Sequence, residues 1–139
     1  MPRATFGKDR RLLKASEYKE VFDNNALRVA HPKHLFLVKP NGTQVSRLGL
    51  VVGKKNVATA IGRNRVKRAV REVFRTTALP VAVDIVFLAR KDADKLSSFE
   101  MTTLLQQSWA RLSARLEKDF LNKDLSSKDV AKKDIKDNA

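Results

Sequence analysis

The spacing of apolar positions changes several times along this chain, and each change marks an element. Tyr18, Val21 and Phe22 fall at i, i+3 and i+4, one face of a short helix. Ser16 is placed to cap that helix, and Glu17 stands in its first turn, where negative charge suits the helix dipole. Asp23-Asn24-Asn25 ends it. Leu27 to Ala30 reads as a short edge strand before Pro32, and His34 to Lys39 as a strand with apolar residues on both faces. Pro40-Asn41-Gly42 is a turn, because Asn-Gly tolerates positive φ, and Arg47 to Val52 is the next strand, so that this pair reads as a β-hairpin. Val66, Ala69, Val70, Val73, Phe74 and Thr77 then repeat with helical spacing and predict a helix from about Arg63 to Thr77, stopped by Pro80. Val83 to Ala89 is a further apolar strand, closed by Arg90-Lys91. Ser97 and Glu100 fit a capping box and Leu96 with Met101 a hydrophobic staple; Met101, Leu104, Leu105, Ser108, Leu112 and Leu116 continue the face, with Trp109 beside it.

This order predicts an α+β fold: an α-β sandwich in which a small sheet is packed by three helices. Residues 1–120 form the domain, beginning with a basic arm over 1–15. Residues 121–139 are rich in Lys-Asp repeats and poor in large apolar groups, which predicts a disordered tail or a frayed extension of the last helix.

Charge narrows the function. The 139 residues carry 29 Lys and Arg against 15 Asp and Glu, a net charge of +14. The tail adds only +1, so the excess lies in the body, where it forms a surface that seeks a polyanion. There is no cysteine, which excludes disulfides, thiolate metal sites and a cysteine nucleophile. No apolar run approaches the roughly 18 residues of a membrane span and the first residues lack a signal-peptide core, so a cytoplasmic protein without a membrane partner is expected.

The basic residues concentrate on the central helix. From Arg63 to Arg75, six of 13 residues are Arg or Lys and one is acidic. Arg63, Lys67, Arg71 and Arg75 step by four and make a slowly winding ridge; Arg68 flanks it, and Lys54 and Lys55 extend it. Arginine suits RNA because its planar fork binds phosphate bidentately and stacks on bases. Tyr18, Phe22 and Phe36 form an aromatic set that, if exposed, stacks unpaired bases. Hydrolytic chemistry has little to stand on. The only histidines, His31 and His34, lack metal-pair spacing on a helix and have no carboxylate cluster near them, which leaves only a general acid-base pair to consider. Asp84, inside an apolar strand, either faces solvent or meets an arginine.

The ordered set of motifs resembles the bacterial ribonuclease P protein family. Lys54-Lys55 followed by Arg63-Asn64-Arg65-Val66-Lys67-Arg68-Ala69-Val70-Arg71-Glu72-Val73-Phe74-Arg75 is similar to that family's RNR signature. Phe6, Lys8, Arg11, Leu12 and the stretches Glu17 to Phe22, Arg47 to Val52 and Ile85 to Arg90 support it, over roughly residues 6–116. The resemblance implies a left-handed βαβ crossover around the basic helix, against the general right-handed rule. It implies an endoribonuclease subunit with no catalytic protein residue, in which the RNA subunit and mainly RNA-bound Mg²⁺ do the chemistry. Whether the protein itself binds a metal is left open. By position, Arg63, Asn64, Arg65, Lys67, Arg68 and Arg71 would contact ribonuclease P RNA. Tyr18, Phe22, Phe36 and Val38, with Lys54 and Lys55 nearby, would line a cleft for the single-stranded 5′ leader of precursor tRNA. Some relatives carry an aromatic residue where Val38 stands. No obligate protein partner is implied. The competing readings are a general RNA-binding or ribosomal protein, a stand-alone nuclease, and a DNA-binding protein.

Overall fold

A computed structural model of the chain describes residues 8–121. The first residues of the basic arm, Phe6 among them, and the Lys-Asp tail lie outside the described residues. Helix α1 spans Ala15–Asn24, and strands β1 (Leu27–His31), β2 (His34–Pro40) and β3 (Arg47–Val51) follow. Helix α2 spans Ala60–Thr76, β4 Val83–Ala89 and α3 Ser98–Leu116. The strands form one mixed sheet in the order β1-β2-β4-β3, with β3 parallel to β4 and the other pairs antiparallel. The α+β class with three helices on a small sheet is as the sequence predicts.

The expected hairpin between the second and third strands does not form. The hairpin is β1–β2, closed by Pro32-Lys33 between the paired His31 and His34. Strand β4 inserts between β2 and β3. The reason is burial: Phe36, Leu37 and Val38 are all buried, so β2 is a central strand and needs partners on both edges. The Asn-Gly turn is real, with Gly42 at φ +70, but it opens a longer loop that carries β3 past β4. Asn41 organises that loop by bonding the Val45 carbonyl and the Asp84 carboxylate, both at 2.9 Å.

Alternation along the strands builds two cores. Phe36, Val38, Leu48, Ile85 and Phe87 face α2 and α3 and pack against Val66, Val70, Phe74, Leu105 and Trp109. Leu37 and Val86 face the other way, with Leu12 and Val21, under α1. Trp109, expected beside the helix face, is at the centre of the larger core: its ring lies 5.6 Å from Phe36 and 5.9 Å from Phe74, and its Nε1 donates to the Thr77 carbonyl. Both edges of the fold depend on a close backbone approach. A Cβ on Gly49 would lie 2.6 Å from the Tyr18 ring, and one on Gly62 would lie 2.6 Å from the Asp94 carboxylate.

The caps confirm one expectation and correct another. Ser97 accepts from the Glu100 N–H while the Glu100 side chain accepts from the Ser97 N–H. Ser16, however, does not cap α1. The helix starts two residues earlier than a Ser16 cap implies, at Ala15, and Glu17 reaches back to the N–H groups of Leu13 and Lys14 at 2.7 and 2.9 Å. Those two donors, then Arg47, hold the Glu17 carboxyl below the usual carboxylate range. Helix α2 starts three residues before the expected Arg63, where Thr59 caps it by accepting from the Gly62 N–H.

A candidate RNA interface

The basic helix buries one side and displays the other. Val66, Val70, Val73 and Phe74 are buried against the sheet and α3. Because each four-residue step advances about 40° around a helix, the series Arg63, Lys67, Arg71, Arg75 winds from the inner edge to the outer face. Asn64, Arg68 and Arg71 are exposed and Lys67 is half-buried at the margin.

The six residues expected to bind RNA therefore divide into two kinds. Arg63 and Arg65 are half-buried and spend donors on the protein's own carbonyls. Arg63 bonds Val57 and Ala58, both at 3.0 Å, and so fixes the loop that enters α2. Arg65 bonds the Asp94 carbonyl at 2.8 Å and the Leu96 carbonyl, which ties α2 to the start of α3. Asn64, Lys67, Arg68 and Arg71 present the outward strip. This split gives a prediction. Arg65→Ala leaves two carbonyls without their donor and lowers unfolding free energy by about 1–3 kcal/mol. A urea titration checks it; an unchanged midpoint would show that the clamp carries no stability.

The aromatic set divides as well. Tyr18 and Phe22 lie on α1, where Phe22 is 41% exposed. Tyr18 packs on the sheet, and its hydroxyl accepts from the Leu50 N–H at 3.3 Å. Phe36 and Val38 cannot join them in a cleft on the α1 side. Both point to the α2–α3 face, at 1% and 0% exposure, and Phe36 is wedged among Phe87, Trp109 and His34. The sequence assignment is one residue out of register: successive strand side chains alternate faces, and it is Leu35 and Leu37 that lie toward α1. Lys54 and Lys55 are exposed on the loop after β3, at the end of the sheet.

The two surfaces meet at the β3 edge. Arg11 forms a parallel bridge with Leu48, so the basic arm continues the sheet, and Arg10 places its guanidinium 4.6 Å from the centre of the Phe74 ring. Between arm, sheet and α2 lies a pocket of about 200 Å³, lined by Arg11, Tyr18, Leu48, Leu50, Lys67 and Arg71. It brings a tyrosine from the first helix beside two cations of the basic helix.

The candidate groups for hydrolytic chemistry have partners within the fold. Asp84, only 6% exposed, meets Arg47 in a bidentate pair with bonds of 2.9 and 2.7 Å, and Arg47 also bonds Glu17 at 2.9 Å. Asp84 thus meets an arginine, one of the two possibilities left open by its position in an apolar strand. His34 is buried, bonds Ser108 at 2.8 Å and stacks on His31 with ring centres 4.8 Å apart. Burial first, and then the charges of His31 and Arg90, push His34 down to about 4. A buried base of low pKa is neutral in the fold and charges more readily once unfolded. Stability from this site is therefore complete above about pH 6.5 and lost as pH falls toward 4, by roughly 3 kcal/mol in all. Urea midpoints between pH 7 and pH 5 should fall, and His34→Asn should flatten most of that slope; an equal slope in the variant would place the effect elsewhere. Among the described residues no three His, Asp or Glu side chains converge as metal ligands.

Comparisons with known proteins give the family and the fold. The family model described as Ribonuclease P matches residues 6–113. The chain belongs to the ribonuclease P protein family. It is 42% identical over 109 residues to the ribonuclease P protein component of Azotobacter vinelandii, covering 78% of this chain and 84% of that one. It is 44% identical to that of Photobacterium profundum, over 81% of this chain and 96% of the relative. Among solved structures, the ribonuclease P protein of Staphylococcus aureus superposes with a TM-score of 0.68 at 26% identity, covering 74% of this chain and 94% of that one. The Thermotoga maritima protein gives 0.62 at 30% identity, over 76% and 96%. Ribonuclease P proteins are components of an endoribonuclease of tRNA 5′ processing that works with a ribonuclease P RNA, and this chain has that role.

Proposed function

We propose that this protein holds ribonuclease P RNA through the outward strip of α2 and holds the single-stranded 5′ leader of precursor tRNA on the α1 side of the sheet. The observation that carries this reading is the pocket at the β3 edge, where Tyr18 meets Lys67 and Arg71. Cationic side chains there and at Arg68 offset phosphate repulsion, and each phosphate contact releases counterions; Asn64 beside them adds neutral donors and acceptors. Rings on α1 supply stacking that tolerates any base, as a leader of variable sequence requires. Arg63 and Arg65 act as positioning residues, since they fix the entry and inner flank of the helix that presents the strip.

The protein does not carry the bond-breaking step in this reading. Its buried carboxylate is neutralised by arginine and its buried histidine is held neutral. In this reading the Mg²⁺ of the assembled enzyme is held mainly by the RNA, whose phosphates are the hard oxygen ligands that ion takes.

Phe22 is the test, because it is exposed and its loss should not disturb the fold. In the reconstituted ribonucleoprotein, Phe22→Ala should weaken binding of a leader-bearing precursor by about tenfold, the size of one stacked base. Binding of mature tRNA should not change. An equal loss for both substrates, or none for the precursor, would contradict the leader assignment.

A further inference from the structure

The two ends of the sheet treat charge differently. At one end Lys39, Asp84 and Arg47 stand in register across β2, β4 and β3, and their charges are matched: Arg47 pairs with Asp84 and Glu17, and Lys39 with Glu20. At the other end β1 turns into β2, and β3 and β4 finish, with His34 opposite Ala89 and Val51 opposite Leu88. Lys33 lies in the turn, Arg90 follows β4, and Arg111 comes from α3. None of the ion pairs among the described residues involves these three.

The three cations are close neighbours. The Arg90 N–H donates to the Lys33 carbonyl at 2.9 Å, and its guanidinium donates to the His31 carbonyl at 3.2 Å. Arg111 stands about one turn along α3 from Ser108, which bonds His34, and His34 stacks on His31; after burial, the charges of Arg111, Lys33 and Arg90 hold the His31 ring below the usual histidine range. Hydrogen bonds also connect this end of the sheet to the basic helix. Asn56 donates to the Ala89 carbonyl and accepts at its own carbonyl from the Asp92 N–H, both at 2.9 Å. The same loop carries exposed Lys54 and Lys55 and ends at Val57 and Ala58, where Arg63 binds. The carboxylates along this route are Asp92, half-buried in a left-handed turn, and Asp94, packed over Gly62.

We infer that this end of the sheet, centred on Lys33, Arg90 and Arg111, is a second phosphate-binding surface that continues the α2 strip and takes a further stretch of the same RNA subunit's backbone. The inference rests on the reading that α2 binds that RNA. Gathered like charges repel one another unless something offsets them; at the far end of the sheet carboxylates pair with the cations, whereas here Asp92 and Asp94 form no ion pair with any of the three. A polyanion does so, at a gain from counterion release for every phosphate met. The loop through Lys54 and Lys55 makes the surface continuous, so one RNA can lie along both parts.

The experiment measures binding of a bacterial ribonuclease P RNA to the full chain across a salt series. Lys33→Ala with Arg111→Ala removes two cations, and Arg90 is left in place because it braces the β1–β2 turn. Affinity should fall about tenfold at 0.1 M salt, and the slope of log K against log salt should shrink by about 1.5. Lys33→Arg with Arg111→Lys should stay near the parent in both. Lys67→Ala with Arg68→Ala is run in parallel. If only that second pair loses affinity, this inference is overturned and the cluster merely guards the exposed β1 edge against pairing. If neither pair loses affinity, the α2 reading falls as well.

Discussion

Replacing Lys67 and Arg68 together by alanine should weaken binding to a bacterial ribonuclease P RNA about a hundredfold while leaving the urea midpoint unchanged. Arg68 lies on the outer arc of α2 and Lys67 at its margin, and neither belongs to an ion pair of the described residues. Their removal therefore costs the fold nothing it uses, and alanine is the better helix former. A charge-assisted hydrogen bond contributes roughly 1.5–3 kcal/mol, so two contacts at the low end amount to about two decades of affinity. The salt slope should shrink by about 2, since each phosphate contact contributes close to one. Unchanged affinity in a folded variant would remove the strip from the interface.

Arg47→Ala should be the most damaging single change to the fold. It strips a bidentate partner from Asp84, which sits in β4 at 6% exposure, and a second partner from Glu17 on α1. Leaving a buried carboxylate without its cation costs about 3–5 kcal/mol. For a domain of this size that is on the order of 10 °C or more in Tm. Asn41 remains at 2.9 Å from Asp84 but brings no charge. The loss should extend to function, because Arg47, with Tyr18 and Lys39, links α1 to the sheet. Arg47→Lys should rescue poorly, since a single ammonium cannot bridge both carboxylates with the same geometry. Arg47→Met combined with Asp84→Val should recover most of the stability, because no buried charge is then left without a partner and Glu17, which loses Arg47, keeps the N–H groups of Leu13 and Lys14. Thermal melts of the three variants decide this. A neutral Arg47→Ala would mean that Asp84 finds other solvation.

How much of this was legible in the chain depends on the kind of information. Periodicity placed the three α-helices and four strands of the described residues because burial imposes 3.6 and 2 on the sequence directly: Val83 to Ala89 matches β4 residue for residue, and Ser97 with Glu100 marks the start of α3. Pairing was not legible. The run from Leu35 to Val38 says that a strand is buried on both faces, but not that β4, more than 40 residues later, supplies one neighbour. The leader set failed at Phe36 and Val38 for a related reason. An apolar residue at every position hides the alternation, and only the packing of Trp109 on Phe36 shows which face is which. Within the basic helix, sequence gave six equivalent candidates. It could not show that Arg63 and Arg65 would be spent on the carbonyls of the Val57-Ala58 loop and the Asp94 to Leu96 turn, because those partners come from tertiary approach. The ion pair of Arg47 with Asp84 had a partial signal, a charge inside an apolar strand, with no way to name its partner.

The central claim is that this protein assists a catalytic RNA and does not cut by itself. The direct measurement is cleavage of a precursor tRNA at low Mg²⁺ by a bacterial ribonuclease P RNA, with and without the protein. Correct 5′ cleavage is expected when both are present, little with the RNA alone, and none with the protein alone. Cleavage by the purified protein without RNA, or no stimulation of the RNA by a folded protein that binds it, would contradict the account.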